Sequence, residues 1–413
     1  MMKRSLDKDA MLAIDIGTTK ITSIVARRNE RKAIEVLGHG IHACSGLSAT
    51  GIIDLEEIVS SISSASRKAL NHAPDIEMRK SVIAVSGTFV QSQNTVGSLA
   101  LSRHGRAVTQ DDIDLCIRAA IGRAMPKDYE VIHAIPRWFR LDDTPFIRDP
   151  LGMVGSVLEV DVHLIIGSQS ILKNLKRCVT KAGFSVEELA YQPIASSLSV
   201  LGDEEKSVGV ALIDIGGETT SVLVFYEGSI YHSETIGIGG EDISRDINHY
   251  FQTPIDNAEK LKKYAGSAFL ESVDAEEMLE VVRFKNRRTI MVKKMRLCEI
   301  IEARVEQIND EVIRMLRSHD LLGTIYGGVV LTGGASMLDG MREKSMEAFE
   351  CEAIIGYPNG VVGHEEIVSS PSFATIIGLL HYGFERRDAN AAVYGTGLVR
   401  VVKKVKQWVQ ETF

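Results

Sequence analysis

The sequence predicts an α/β protein of two related lobes, each with its own β-sheet core. A small α+β unit is inserted in the first lobe, and an amphipathic helix closes the chain. Three observations carry this reading. Residues 11–27, MLAIDIGTTKITSIVAR, and 208–225, VGVALIDIGGETTSVLVF, read as the same hairpin written twice. In each, β-branched runs flank a turn of Gly and Thr, and the first strand ends in Asp-Ile-Gly. The block 94–167 carries strand and helix signals of its own. The terminal LVRVVKKVKQWVQETF follows a polar, small-residue stretch at 385–397 that reads as a linker.

Bulk properties narrow the function. A chain of 413 residues with 45% hydrophobic and 25% charged residues can bury a core in two to four lobes. The net charge of −8 argues against nucleic acid as the main partner, because phosphate backbones need a basic surface. Cys44, Cys116, Cys178, Cys298 and Cys351 are odd in number and far apart, with no C-x-x-C. They indicate neither a disulfide framework nor a zinc site, and a reducing cytosol is expected. Asp7, Asp9 and Asp15 interrupt the N-terminal apolar residues, so no signal peptide is expected. No stretch reaches the ~18 apolar residues that would span a bilayer.

Helical signals follow each hairpin. Asp54 caps an apolar-periodic stretch over 54–71, and 168–182 stops at Gly183. Within the central block, Asp111-Asp112 opens a helix, and YEVIHAIPRWFRL and SVLEVDVHLIIG alternate as strands. The residues 273–320 are dense in charge and helix formers, and RRTIMVKKMRLCEIIEARVEQINDEVIRMLRSH reads as the longest helix.

The two hairpins carry the chemistry. A tight Gly/Thr turn offers backbone N–H groups and hydroxyls to phosphate oxygens. Lys20 adds a point charge. The matched strand-end carboxylates Asp15 and Asp214 are suited to hold a hydrated Mg²⁺ between the lobes, since Mg²⁺ keeps waters and takes one or two carboxylates. A third turn, Gly333-Gly334 in GGVVLTGGASMLDGM, lets backbone approach a flat ring or sugar closely, and Gly239-Gly240 opens a helix in GIGGEDIS. The ordinary alternative for any one of these is an Asp-Gly hairpin turn; the pairing in matching lobes favours nucleotide.

Three such turns in this order resemble the actin, heat-shock-chaperone and sugar-kinase ATPase superfamily. Together with SSPSFATIIGLLHYG (369–383) and the basic amphipathic end, they resemble the bacterial cell-division family FtsA over residues 11–413. The resemblance implies an actin-like fold that binds ATP with Mg²⁺ and is at most a slow ATPase. By similarity, Gly17, Thr18, Thr19 and Lys20 face Gly216, Gly217, Glu218, Thr219 and Thr220 across the β- and γ-phosphates. Asp15 and Asp214 hold the Mg²⁺ waters. Gly333, Gly334, Ala335 and Ser336 pack against the adenosine, and Gly239 and Gly240 are further candidates for cofactor binding. Glu259 and Lys262, spaced i, i+3, resemble the ribose and adenine pair of chaperone ATPases. Gln192 matches the position that orients the attacking water in actins; an amide is a poor base, so hydrolysis is expected to be slow. Glu218 departs from the superfamily, many of whose members have Gly there. Its side chain is expected to point outward.

The resemblance also implies a division of the chain. The first-lobe core (1A) takes 1–87 and 168–202, and the insertion (1C) takes 88–167. The second-lobe core (2A) takes 203–253 and 315–388, and subdomain 2B takes 254–314. A linker at 389–398 leads to a membrane-targeting helix at 399–413. Family members bind the C-terminal tail of tubulin-like FtsZ on 2B. The segment EIIEAR resembles the family's Ile-Glu-Pro-Arg, so Arg304 is a candidate contact, with Ala303 in place of Pro. The strongly basic stretch 283–296 reads either as a solvated helix face or as an acceptor for an acidic peptide.

On a helical wheel, Leu398, Val401, Val402, Val405, Trp408, Val409, Thr412 and Phe413 share one face, and Arg400, Lys403, Lys404 and Lys406 flank or oppose it. Each basic residue near an anionic membrane contributes about 1 kcal/mol, which together with a short apolar face gives reversible binding. The alternative is docking on its own domain or a partner. The expected role is a peripheral protein on the cytoplasmic face of the inner membrane at the division site. There it forms homopolymers on anionic lipid, tethers FtsZ filaments and recruits other division proteins. A kinase of this fold would need an aspartate base, and none is identifiable. A chaperone-type ATPase is expected to continue into a substrate-binding β domain. Pilus-assembly homologues generally lack such a basic end.

Overall fold

The computed structural model describes residues 9–29, 32–284 and 288–391, with backbone alone for 389–391. Residues 385–391, read as the start of a linker, instead continue helix Ala374–Ala391. The linker and amphipathic-helix expectations beyond 391 lie outside the described residues, as do Lys285, Asn286 and Arg287 of the basic stretch.

The first hairpin pairs Ala10–Ile16 with Lys20–Arg28, Asp15 opposite Thr22. It lies inside a six-stranded sheet with Ile34–Ala43, Lys80–Val85, Ser185–Tyr191 and, at one edge, Val361–Val362. Every residue of Ala10–Ile16 is buried because both sheet faces are covered. Leu12, Ile14 and Ile16 pack toward Ile58, Ile62 and Leu172 of helices Leu55–Asn71 and Gln169–Lys181. Met11 and Ala13 pack toward Ile376, Ile377 and Leu380 of helix Ala374–Ala391. That last contact alters the expected division: the sequence places 315–388 in the second lobe, but 374–391 covers the first-lobe sheet.

The second hairpin, Val210–Ile215 with Thr220–Tyr226, sits in a five-stranded sheet with Ser229–Ile236, Val329–Thr332 and Ala353–Ile355. Helix Lys294–Ser318 contributes Leu297, Ile301, Val305 and Val312 to this lobe's core. It is shorter than the sequence suggests. Thr289–Lys293 is a strand paired with Met278–Val282, because its β-branched Thr289, Ile290 and Val292 suit a two-stranded ribbon.

The insertion is a four-stranded sheet backed by helix Gln110–Ala124. Thr109 and Asp112 form the capping box that opens this helix. The insertion also touches the second lobe. Asn94 Nδ2 donates to Tyr231 O at 3.0 Å, and His163 Nε2 lies 2.9 Å from Ser233 Oγ. Arg137 is held by Asp161 through two 2.8 Å hydrogen bonds while its guanidinium lies against Trp138 and Tyr231. Among the described residues, no helix is long and apolar enough to cross a membrane.

Candidate functional site

A cleft of about 510 Å³ opens between the lobes where the two hairpin turns face each other. The turns align without a gap. Gly17 N–H donates to Lys20 O at 3.1 Å, and Gly216 N–H donates to Thr219 O at 2.8 Å. Each turn therefore has four residues, and Thr18-Thr19 corresponds to Gly217-Glu218. The Thr-Thr pairs that echo each other in the sequence are not structural equivalents: Lys20 occupies the place of Thr219. The two turns also touch. A Cβ at Gly217 would lie 2.3 Å from Thr19 Cγ2 and 3.2 Å from Thr18 Oγ1, so only glycine admits this approach.

The structure brings most of the predicted residues to the cleft wall: Asp15, Gly17, Thr18, Thr19, Lys20, Gln192, Asp214, Gly216, Gly217, Thr219, Gly240, Glu259, Lys262, Gly333, Gly334 and Ala335. Three others stand one layer behind. Thr220 commits its hydroxyl to Ile238 O at 2.8 Å, and Ser336 commits its own to Gly333 O at 2.8 Å. Gly239 is taken up by close packing, since a Cβ there would meet Gly217 O at 2.4 Å.

Glu218 points away from the cleft. One carboxylate oxygen accepts from Ala49 N–H of the first lobe at 3.1 Å, and the other pairs with Arg245 on helix Gly240–Phe251. Its own N–H donates to Thr18 Oγ1 at 3.2 Å. Arg304 lies outside the cleft and forms a two-pronged pair with Asp246, at 2.7 and 2.9 Å.

Asp15 and Asp214 lie near the ends of buried strands, and their environments differ. Asp214 accepts from Ser196 Oγ at 2.6 Å and from Thr375 Oγ1 at 3.2 Å. Asp15 Oδ1 is buried with no hydrogen-bond partner. Burial, reinforced by Asp214 and opposed by Lys20, pushes the Asp15 carboxyl up to about 7. Burial also raises Asp214, against its hydroxyl donors. Two neighbouring carboxylates with one orphaned oxygen form a donor set that a hard divalent cation fits. Lys20 is lowered by burial and is partly restored by Asp15.

On the opposite wall, Lys262 Nζ donates to Gly240 O at 2.7 Å and pairs with Glu259 at 2.6 Å. Burial works against charged Glu259, but hydrogen bonds from Lys262 and Ser244 outweigh it and hold the carboxyl at about 2. Gly333, at φ +85°, lies where a Cβ would strike Asp214 Oδ1 at 2.4 Å. Sequence reasoning missed Ser86, Glu241, Lys263, Met337, Leu338, Ser372 and Thr375 of the lining. Gln192 Nε2 donates to Thr375 Oγ1 at 3.2 Å, which links it to Asp214.

Comparison with known proteins places this geometry. A model of the cell division protein FtsA matches residues 211–378, and a model of the SHS2 domain inserted in FtsA matches 87–166. A cell division protein FtsA from Pseudomonas aeruginosa is 31% identical over 411 residues, spanning 98% of each chain. The chain belongs to the FtsA family. Its FtsA relative in Borreliella burgdorferi is 32% identical over 97% of this chain and 96% of its own, and that of Escherichia coli is 29% identical over the full length of both. The SHS2 match coincides with the insertion read between the two halves of the first lobe. Among solved structures, a PilM-PilN type IV pilus biogenesis complex matches with a TM-score of 0.65 at 16% identity, covering 92% of this chain and 99% of its own. Spiroplasma citri MreB5 bound to ADP matches at 0.55 and 15%, covering 94% and 99%. These likenesses establish the actin-like fold that the FtsA family is expected to have.

Proposed function

We propose that this FtsA-family protein binds ATP with Mg²⁺ in the interlobe cleft and, in that closed form, polymerises on the cytoplasmic face of the membrane. Its filaments tether FtsZ there and recruit later division proteins. The observation that carries the nucleotide half is the unpartnered, buried Asp15 Oδ1 beside Asp214, beneath two facing glycine turns. Asp15 and Asp214 are the residues that would hold Mg²⁺, which supplies positive charge to the terminal phosphates.

The turns Gly17–Lys20 and Gly216–Thr219 present backbone N–H groups, hydroxyls and one ammonium to the phosphates. Gly333, Gly334 and Ala335 supply a flat wall for the nucleoside, with Glu259 and Lys262 at its polar edge. Gln192, tethered by Thr375, can orient water and cannot readily take its proton, so turnover is slow. Nucleotide bridging both lobes favours the closed form by binding it better.

Membrane attachment is assigned to 399–413 and FtsZ binding to 254–314, with Arg304 on its surface. A single tail anchors weakly, but a filament presents many tails at once and gains avidity. The test is co-sedimentation of the full chain with anionic vesicles and an FtsZ C-terminal peptide. ATP-dependent pelleting that collapses on deletion of 399–413, with peptide carried down, is expected. Pelleting unchanged by the deletion, or peptide left in solution, contradicts the tether.

A further inference from the structure

Away from the cleft, strand Ile34–Ala43 carries His39 toward the chain segment that follows the short edge strand Val361–Val362. His364 and Glu366 come from that segment. One donor atom from each of the three residues lies within 4.8 Å of the others. His39 Nε2 is 3.7 Å from Glu366 Oε1, and His364 Nδ1 is 3.6 Å from the same oxygen. Both separations are too long for hydrogen bonds. They are close to the spacing of about 3.4 Å between donors that each sit ~2.1 Å from a tetrahedral ion.

We propose that His39, His364 and Glu366 form a binding site for a borderline divalent cation, Zn²⁺ in preference to Mg²⁺. Two imidazoles and one carboxylate are a zinc-type donor set that leaves a fourth position for water. Mg²⁺ prefers oxygen donors throughout. His39 turns Nε2 toward Glu366, while Nδ1 is buried with no hydrogen-bond partner. His364 keeps a left-handed backbone, φ +48°, ψ 74°, which costs energy for a non-glycine residue and is tolerated where another interaction offsets it. The strand ladder a cation would reinforce is short, Val361 with Ile34 and Val362 with Glu35, beside the packing of buried Ile367.

The consequence reaches the cleft. The clasped segment runs directly into Ser370, Pro371 and Ser372 of the cleft wall. The His39 ring meets Phe373 edge-on at 6.4 Å, and Lys20 Nζ lies 5.4 Å from the centre of that ring. A cation here would fix the segment whose aromatic ring supports the first phosphate turn. The inference itself stands independently of what the cleft binds.

The test titrates EDTA-stripped full-length protein with Zn²⁺ by calorimetry and with Co²⁺ by visible absorption. One ion per chain is expected, with the visible d–d bands of four-coordinate Co²⁺ and no thiolate charge-transfer band. His39→Ala and Glu366→Gln should each weaken binding by at least about tenfold, the scale on which metal-site substitutions act. Glu366 is two-thirds exposed, so its substitution leaves the fold intact if His39→Ala does not. His319→Ala, in the other histidine–glutamate group of His232, Glu234 and His319, should change nothing. No stoichiometric binding, unchanged affinity in both variants, a thiolate band, or loss in His319→Ala instead would each overturn the proposal.

Discussion

The carboxylate of Glu218 accepts a hydrogen bond from the backbone N–H of Ala49 at 3.1 Å, from one lobe to the other across 169 residues of chain. With Arg245 on its second oxygen, Glu218 ties the two lobes together and directs its charge away from the cleft. Glu218→Ala should therefore cost about 1–2 kcal/mol of stability, the scale of a charge-assisted hydrogen bond. Denaturant unfolding would read this. ATP affinity should stay level or weaken slightly. A tightening of tenfold or more would mean that the carboxylate repels the phosphates after all.

The pH response follows from Asp15. Its folded pKa, about 7, is raised above the ordinary carboxylate value, so between about pH 4 and 7 the folded state holds more protons than the unfolded one. Stability without metal should fall as pH rises through this window and level off above it. Thermal melts from about pH 5 to 8 would show the slope, and Asp15→Asn should reduce it. An identical slope in the variant would assign the effect to other groups.

Close approach at Gly333 gives a third expectation. Its positive φ and the 2.4 Å clash of an added Cβ with Asp214 make Gly333→Ala costly, on the order of 2 kcal/mol or more. Urea unfolding would measure it. A neutral variant would mean that the turn relaxes freely.

Arg304 is shared with Asp246, so an acidic peptide would compete for its guanidinium. Asp246→Asn should tighten FtsZ-peptide binding a few-fold, and Arg304→Ala should weaken it. Fluorescence anisotropy with labelled peptide separates these, and equal affinities in both variants would remove Arg304 from the contact.

The hairpins are legible in the sequence because a buried β-branched run that ends in Asp-Ile-Gly and recurs in a second lobe marks a strand, a tight glycine turn and a returning strand twice over. The partners of Glu218 are not legible: Ala49 is an ordinary residue brought close only by the facing lobe, and Arg245 comes from a helix of Glu218's own lobe with no pattern that marks the pair. Ser196 and Thr375 escape notice because hydroxyls are too common to single out, although they are what distinguishes Asp214 from the orphaned Asp15. The segment 369–383 is recognisable as a motif, but its lobe is not, since an apolar helix reads alike over either sheet; residues 385–391, polar enough to read as linker, continue that helix. The strand Thr289–Lys293 merges with the helix that follows because it is only five residues long and runs straight into the charged helix formers after it. The His39 cluster stays hidden because His39 lies far along the chain from His364 and Glu366, so no short ligand spacing joins them.

The most direct test of the central claim is calorimetric titration of ATP into wild-type protein and Asp15→Asn, each with Mg²⁺ and with EDTA, alongside a thermal melt. The account predicts that wild type binds ATP with Mg²⁺ and loses at least about tenfold in affinity with EDTA. The variant should bind weakly in both and yet melt higher without ligand at about pH 8, because a buried carboxylate has been neutralised. Equal ATP affinity in all four titrations would contradict it.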